Sequence, residues 1–359
     1  MSSDFVSNEQ IIQAARQNLT QSAWAYVSGA SESETTMRRN RLAFDRIAFR
    51  PRILVDVSSI DPSTTFIGHK MRIPVVLAPI GSLQTFVTGG GTAATKAAAE
   101  FGTMHVVSSV TEPSLEEIAA SGDNPKVFQL YVRGDFSVIE EIVGRAMDAG
   151  YTSLCLTVDS AHYSRRERPM LVGWAPPTSR RPAERSFQAE LTWDYMDRIK
   201  ELARGRPFML KGVATAEDAA LAVEHGVDVI WVSNHGGRQL DHGQGTMDML
   251  PEIVDAVAGR ADIVLDGGVQ RGGDVLRAVA LGAKAVAIGK LQGWGLGAAG
   301  VEGLVRVLEI LEEEIVVAMA LLGVTSIDQL SPKYVCEAEA VTPPHEMSTW
   351  VNMSNPRIL

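Results

Sequence analysis

His235 lies in the run Ser233-Asn234-His235-Gly236-Gly237-Arg238. An imidazole accepts a proton near neutral pH, and a guanidinium grips a carboxylate through two parallel hydrogen bonds. The two glycines strip side-chain cover from both groups. Asp159 closes the apolar run 153–158, and a carboxylate there can orient the histidine and stabilise its cation; a helix cap or a loop ion pair is the plainer alternative. Lys211 closes the run 207–211. It reads as a Schiff-base nucleophile, as a cation facing a cofactor, or as a structural ion pair. Arg165 and Arg166 open a long polar segment, where a charge pair by itself would be a solvated one. Residues 266–290 hold Asp266-Gly267-Gly268, a helical run, and then Gly289-Lys290. Glycines let backbone N–H groups approach an anion, and a following helix N-terminus favours negative charge, so this pairing predicts a phosphate site.

The elements that must carry these residues are short apolar runs alternating with Ala-rich helical ones. Eight runs read as strands: 73–79, 104–109, 126–131, 153–158, 207–211, 228–233, 262–266 and 284–289. Continuous apolar strands are expected where both faces of a parallel sheet are covered. Helical runs lie between them, at Gly91–Glu100, Val138–Ala149, Ala216–Glu224 and Gly273–Ala280. The alternation predicts an α/β chain folded as a (β/α)8 TIM barrel over residues 73–323, whose active site sits at the C-terminal strand ends. A doubly wound open sheet is the runner-up. It is disfavoured because polar residues or glycines stand at all eight strand ends rather than at one switch point.

Residues 1–72 predict a helical extension that packs on the barrel. Ile11, Ile12, Ala15 and Leu19 recur at helical spacing, Trp24 and Tyr26 follow, and Ser28-Gly29-Ala30 breaks the pattern. A charged second helix is expected over 31–47, ending near Phe44 and Ile47. The connection after the fourth strand, about residues 162–192, is rich in Pro and Arg and lacks periodicity; it reads as a structureless active-site lid. Residues 301–323 predict a long amphipathic helix, and 324–359 a short helix and a polar tail.

Composition narrows the functional classes. The chain has 359 residues, with 33 Lys and Arg against 43 Asp and Glu, a net charge of −10. That balance argues against nucleic acid and against an anionic membrane surface. No apolar run reaches the ~18 residues of a membrane span. The N-terminal residues carry no export signal, and Arg357-Ile358-Leu359 differ from the Ser-Lys-Leu peroxisomal address. The two cysteines, Cys155 and Cys336, are too few for a disulfide framework, a Cys-ligated zinc or an iron–sulfur cluster. No clustered His or carboxylate pattern suggests a metal. The expectation is a reduced, cytoplasmic protein acting on a small molecule.

Taken in order, these segments resemble the FMN-dependent α-hydroxy acid oxidases and dehydrogenases, a family that includes glycolate oxidase, lactate oxidase and mandelate dehydrogenase. The most specific match is SNHGGRQLD (233–241), supported by FQLY (128–131), LTVD (156–159), RRE (165–167), KGV-TAEDA (211–219) and LDGGV-RG-D (265–274). The resemblance runs from Ala23 to about Leu330. It implies FMN as cofactor, oxidation of a 2-hydroxy acid to the 2-oxo acid, reoxidation by oxygen or another acceptor, and a homotetramer. It implies that His235 is the catalytic base with Asp159 behind it, that Arg166 and Arg238 hold the substrate carboxylate, and that Tyr131 bonds the substrate oxygens. Lys211 would face the flavin N1 and C2 carbonyl. Pro79, Ile80, Gly81, Ser108, Gln129, Thr157 and Ser233 would line the flavin. Asp266, Gly267, Gly268, Gln270, Gly289 and Lys290 would hold its ribityl chain and phosphate. The residues alone leave other readings open: a Schiff-base aldolase using Lys211, oxidation of a non-acid 2-hydroxy or 2-amino carbonyl compound, or a flavin protein without redox turnover.

Three departures from the family pattern bear on the site. The tyrosine expected to assist carboxylate binding falls on Ala25, and Tyr26 is one residue late. One residue is ~100° of helix rotation, so two outcomes are open: Tyr26 faces away and the pocket is enlarged, or Tyr26 swings into the vacated space and restores the usual site. Val110 stands where a large aromatic is common, which enlarges the pocket. The phosphate arginines correspond to Gln270 and Lys290, with Arg271 the expected replacement for the first.

Overall fold

The computed structural model describes residues 4–176 and 187–340. Its centre is a closed parallel barrel of eight strands: β1 Val75–Leu77, β2 His105–Ser108, β3 Lys126–Leu130, β4 Ser153–Thr157, β5 Phe208–Val213, β6 Val229–Val232, β7 Asp262–Leu265 and β8 Ala285–Ile288. Neighbours pair in sequence order, and β8 closes on β1 with Val286 opposite Val75. Each strand matches one of the eight apolar runs, as the (β/α)8 reading requires. Alternation within the strands separates two apolar regions. Val76, Val106, Val127, Cys155, Met209, Trp231, Val264 and Ala287 point into the barrel. Val75, Leu77, Val107, Phe128, Leu154 and Leu210 point outward to the helices. A hairpin of Thr64–Phe66 and His69–Met71 precedes β1, and its Phe66 and Met71 join the interior cluster.

The helices follow local capping signals. The loop after β2 leads to α5 (Leu115–Ala119), which starts in a reciprocal box between Ser114 and Glu117. Asp135 caps α6 (Phe136–Asp148) by accepting from Ser137 and Val138 N–H, and Thr215 caps α9 (Ala216–Glu224). Ahead of the barrel lie α1 (Asn8–Asn18), α2 (Gln21–Ser28) and α3 (Thr35–Asp45). Ile47 does not end the charged helix: Ile47–Phe49 forms a strand antiparallel to Val335–Glu337, so the chain leaves α3 early to pair with the C-terminal segment. That pairing also corrects the expected short helix after residue 324, which is two 3-10 turns and this strand.

Three further expectations change. Lys211 lies inside β5, which runs on to Val213 through a register shift against β6. Gly212 makes the shift possible: its φ is +110°, and a Cβ there would lie 2.7 Å from Asp159 Cβ. The C-terminal helix α12 spans Lys290–Leu322 with a break at Ala299 and Gly300, so the amphipathic run is its second limb. The segment 162–192 is not structureless where it is described, since it contains α7 (Glu167–Leu171) and a 3-10 turn at Phe187–Glu190. Both are tied down, Arg168 by an ion pair to Glu34 and Gln188 by bonds with Val132 N and Thr157 O. Residues 177–186 of the expected lid and 341–359 of the expected tail lie outside the described residues.

Candidate active site

The two-residue period that fills the barrel with apolar side chains also builds its mouth. Continuing each inward register toward the C-terminal end leads from Val127 to Gln129 and Tyr131, and from Cys155 to Thr157 and Asp159. It leads likewise from Met209 to Lys211, from Trp231 to Ser233, and from Val264 to Asp266. The polar residues named from the sequence are thus the upper layer of one packed interior. They border a cavity of about 1350 Å³, larger than the ~300–1,000 Å³ of a single small-molecule pocket. Tyr131, Arg166, Lys211, His235 and Arg238 line it directly, as do Pro79, Ile80, Gly81, Asp266, Gly267, Gly268, Gln270, Gly289 and Lys290. Asp159, Ser108, Gln129, Thr157 and Ser233 stand behind that wall.

His235 is held from several sides. Its Nδ1 is 2.8 Å from Asp159 Oδ1 and its Nε2 is 3.3 Å from the Tyr131 hydroxyl. Its backbone N–H donates to Ser233 Oγ at 3.0 Å, and its φ is +60°, a conformation that persists only where the surroundings fix it. Gly237 fixes it: a Cβ there would meet Met37 N at 2.6 Å, so the loop lies flat against α3. Asn234 and Asn40 exchange two amide hydrogen bonds at 2.9 and 2.7 Å across the same contact. Burial and the Lys211 charge lower the His235 pKa below its ordinary value, against the opposing pull of Asp159. Burial pushes the Asp159 carboxyl up, but the His235 and Lys211 charges outweigh it and the net shift is downward. The pair is therefore carboxylate and neutral imidazole at neutral pH, with the proton on Nδ1 and the Nε2 lone pair turned to Tyr131 and the cavity.

Lys211 is set among acids. Its Nζ donates to Ser233 Oγ at 2.8 Å and lies 3.3 Å from Asp266 and 4.0 Å from Asp159. Burial alone would depress its pKa, but the two carboxylates raise it above the ordinary value. An amine that forms a Schiff base must shed its proton, so this environment opposes the aldolase reading.

Two guanidiniums share the same end. Arg166 donates to Gln239 Oε1 at 3.1 Å and to the Arg238 carbonyl at 3.1 Å. Arg238 donates to the carbonyls of Tyr26 and Gly29 at 2.6 and 2.7 Å. Burial and the Arg166 charge lower the Arg238 pKa to about 10; two buried like charges side by side favour an anion between them. Of the two outcomes open for Tyr26, the structure shows the second. Its side chain lines the cavity and its hydroxyl donates to the Gly81 carbonyl at 3.2 Å, while Ala25 is buried away from it. The ring is placed by Phe86, at 5.8 Å, and Trp174, at 5.1 Å. Val110 is close enough that a Cβ on Gly81 would meet it at 2.8 Å. With Ile80, Phe187 and Tyr163 these residues make the remaining wall largely apolar.

At the opposite end, Gly267, Gly268, Gly289 and Lys290 converge as expected of the last two strand ends. Lys290 Nζ donates to the Ser28 and Gly29 carbonyls at 3.1 and 3.3 Å. Arg271 is not there. It caps α11 (Gly272–Ala280) from outside and pairs with Glu314 at 3.1 Å, because as the residue preceding the helix it points along its outer face. Arg41, from α3, lines this end instead. Sequence reasoning missed Asn40, Arg41, Gln188 and Gln239; each is a polar residue inside a polar run whose partner is distant in sequence.

Two buried groups fit a flavin mononucleotide between these ends. Gln129 Oε1 is fully buried without a hydrogen-bond partner, although its amide nitrogen is satisfied by Thr157 at 2.9 Å. Arg41 Nε is buried and unpartnered at the glycine-rich end.

Comparison with known proteins agrees with this geometry. The family model for FMN-dependent dehydrogenases matches residues 15–184 and 175–337. An L-lactate oxidase of Nostoc sp. is 38% identical over 350 residues, covering 90% of this chain and 96% of the relative. A peroxisomal (S)-2-hydroxyacid oxidase of Arabidopsis thaliana is 38% identical over 349 residues, covering 92% and 96%. A mandelate oxidase variant solved with a C4a-OH-FMN adduct superposes with a TM-score of 0.85 at 36% identity, covering 92% of this chain and 99% of that one.

Proposed function

We propose residue roles from one premise: the chain belongs to the FMN-dependent dehydrogenase family, binds FMN, and oxidises a 2-hydroxy acid to the 2-oxo acid. FMN, when bound, supplies the acceptor for two electrons. His235 takes the substrate proton on Nε2, and Asp159 stabilises the imidazolium through Nδ1. Arg166 and Arg238 hold the carboxylate and aim the reacting carbon at the cofactor. Tyr131 donates to a substrate oxygen beside the base. Lys211, kept charged by Asp266 and Asp159, lies in the cavity wall where negative charge on a reduced cofactor would be offset. Pro79, Ile80, Gly81, Ser108, Gln129, Thr157 and Ser233 form the flavin wall, and Asp266, Gly267, Gly268, Gln270, Gly289 and Lys290 its ribityl and phosphate end. The observation that carries this reading is the His235–Asp159 bond at 2.8 Å facing the same cavity as two guanidiniums.

The substrate is bulkier than glycolate, with an apolar side chain of the size that mandelate carries. Support for this comes from Val110 and the apolar wall around Tyr26. Each methylene buried there contributes about 0.8 kcal/mol, whereas a two-carbon acid leaves the wall unfilled. Residues 1–72 act as an extension of the 73–323 barrel, delivering Tyr26 to its mouth. Oxygen or another acceptor reoxidises the flavin. A homotetramer follows from the family resemblance, and a cytoplasmic setting from the two unpaired cysteines; no helix among the described residues is long and apolar enough to cross a membrane. Anaerobic bleaching of the flavin by glycolate, lactate, mandelate and mandelamide tests the substrate reading. The expected order places mandelate first; a highest specificity constant for glycolate contradicts it.

A further inference from the structure

The phosphate end of the cavity is one guanidinium short of the family pattern, because Gln270 stands in place of an arginine and Arg271 is turned outward to Glu314. Arg41 reaches this end from the N-terminal extension. It is only 5% exposed and lines the cavity beside Gly267, Gly268 and Gln270. Its Nη1 donates to the Gly268 carbonyl and, at 2.8 Å, to Asp274. The Phe44 ring covers the guanidinium at 5.4 Å. The Nε–H, buried, has no partner, and a charged donor buried without an acceptor is a costly arrangement for a finished site. The local charge is unbalanced as well. Asp274 is shared between Arg41 and Arg277, the latter at 2.6 Å, so one carboxylate faces two guanidiniums. Lys290 brings another cation to the same wall.

We propose that Arg41 is a ligand of the FMN phosphate, its guanidinium donating to a phosphate oxygen and replacing, from another part of the chain, the arginine lost at Gln270. The inference rests on FMN being the cofactor. Phosphate monoester, rather than the flavin ring, is the group it recognises, so its removal should change discrimination between FMN and riboflavin.

The test is a competition. Full-length holoenzyme of wild type, Arg41→Gln, Arg41→Lys and the double variant Arg41→Gln/Gln270→Arg is equilibrated with mixed FMN and riboflavin. The protein is then separated from free flavin, and the bound flavins are quantified. Loss of one charge-assisted hydrogen bond predicts that the preference for FMN falls about 10- to 100-fold in Arg41→Gln. It should fall less in Arg41→Lys, which keeps the charge, and return substantially in the double variant. An unchanged bound ratio in Arg41→Gln overturns the proposal, as does equal weakening of both flavins, which would mark a purely structural role. Should Arg41→Gln fail to fold, Arg41→Lys decides, and an unaltered FMN preference there is equally fatal. A wild type that retains neither flavin sinks the FMN reading itself, and the proposal with it.

Discussion

Replacing Asp159 by asparagine isolates what a single charge behind His235 contributes. The side chains are nearly isosteric, so the cavity keeps its shape. The carboxylate is 2.8 Å from Nδ1. Unit charges at that distance attract by about 6 kcal/mol at an effective dielectric of about 20. Both charges are delocalised over two atoms, which lengthens the mean separation, and about 3–4 kcal/mol is the better expectation for the lost stabilisation of imidazolium. That is about 10²–10³ in rate. The amide has two poor orientations. If its oxygen stays on Nδ1–H, its NH₂ faces the Lys211 ammonium 4.0 Å from the present Oδ2. If it flips, it donates to Nδ1 and drives the proton to Nε2, the atom that must be vacant. The assay is anaerobic stopped-flow reduction of the bound flavin at saturating substrate, across pH. His235 has a pKa below its ordinary value in the wild type, so the rate falls only as the pH drops through that lowered value. Asp159 pulls that pKa up, so its loss should move the limb to still lower pH while lowering the plateau. A plateau reduced by less than about tenfold, with FMN still bound, would refute this electrostatic role, and so would a limb displaced to higher pH.

Other perturbations follow from the same geometry. Arg166→Met should cost about 2–5 kcal/mol in transition-state binding of the acid by leaving its carboxylate short of a partner; equal handling of acid and methyl ester, as in wild type, would contradict the clamp. Gly237→Ala forces a Cβ to 2.6 Å from Met37 N at a φ of +75°, so thermal unfolding should reveal a loss of about 1–3 kcal/mol, with flavin reduction slowed as the His235 loop shifts. For Asp274, burial raises the carboxyl pKa but Arg41 and Arg277 outweigh it, leaving it below 3.8. Its stabilisation is present above that value and is lost as pH falls through the lower folded-state pKa. Urea titrations at fixed FMN should show Asp274→Asn weaker by about 3–5 kcal/mol at neutral pH and less sensitive to acid below about pH 4.

The barrel was legible because its strands are buried on both faces and therefore read as unbroken apolar runs. The site was legible where chemistry falls on strand ends, since the same alternation that hides Val127 must present Tyr131 at the mouth. The orientation of Tyr26 was not legible for a definable reason. Residue spacing alone does not fix the rotation of a helix; the docking of α2, set by Arg238 on the Tyr26 carbonyl and by the Phe86 ring, decides which residue faces inward. Arg41 lies in the run RRNRLAFDR, which has the composition of a solvated helix face; its partner Asp274 is 233 residues away, and no local pattern reports that. Ile47 looked like the end of a helix because three residues are too few for an alternation to show against a strand 288 positions on (47 to 335). Arg271 adjoins Gln270 in sequence, but as the residue preceding α11 it points outward to Glu314.

The central claim is that His235 is the base in a flavin-dependent oxidation. Its most direct test is the rate of anaerobic flavin reduction by mandelate in His235→Gln against wild type, with bound FMN quantified in both. The account predicts one FMN per chain in each protein and a rate about 10²–10⁴-fold lower in the variant; flavin reduced at the wild-type rate in His235→Gln would contradict it.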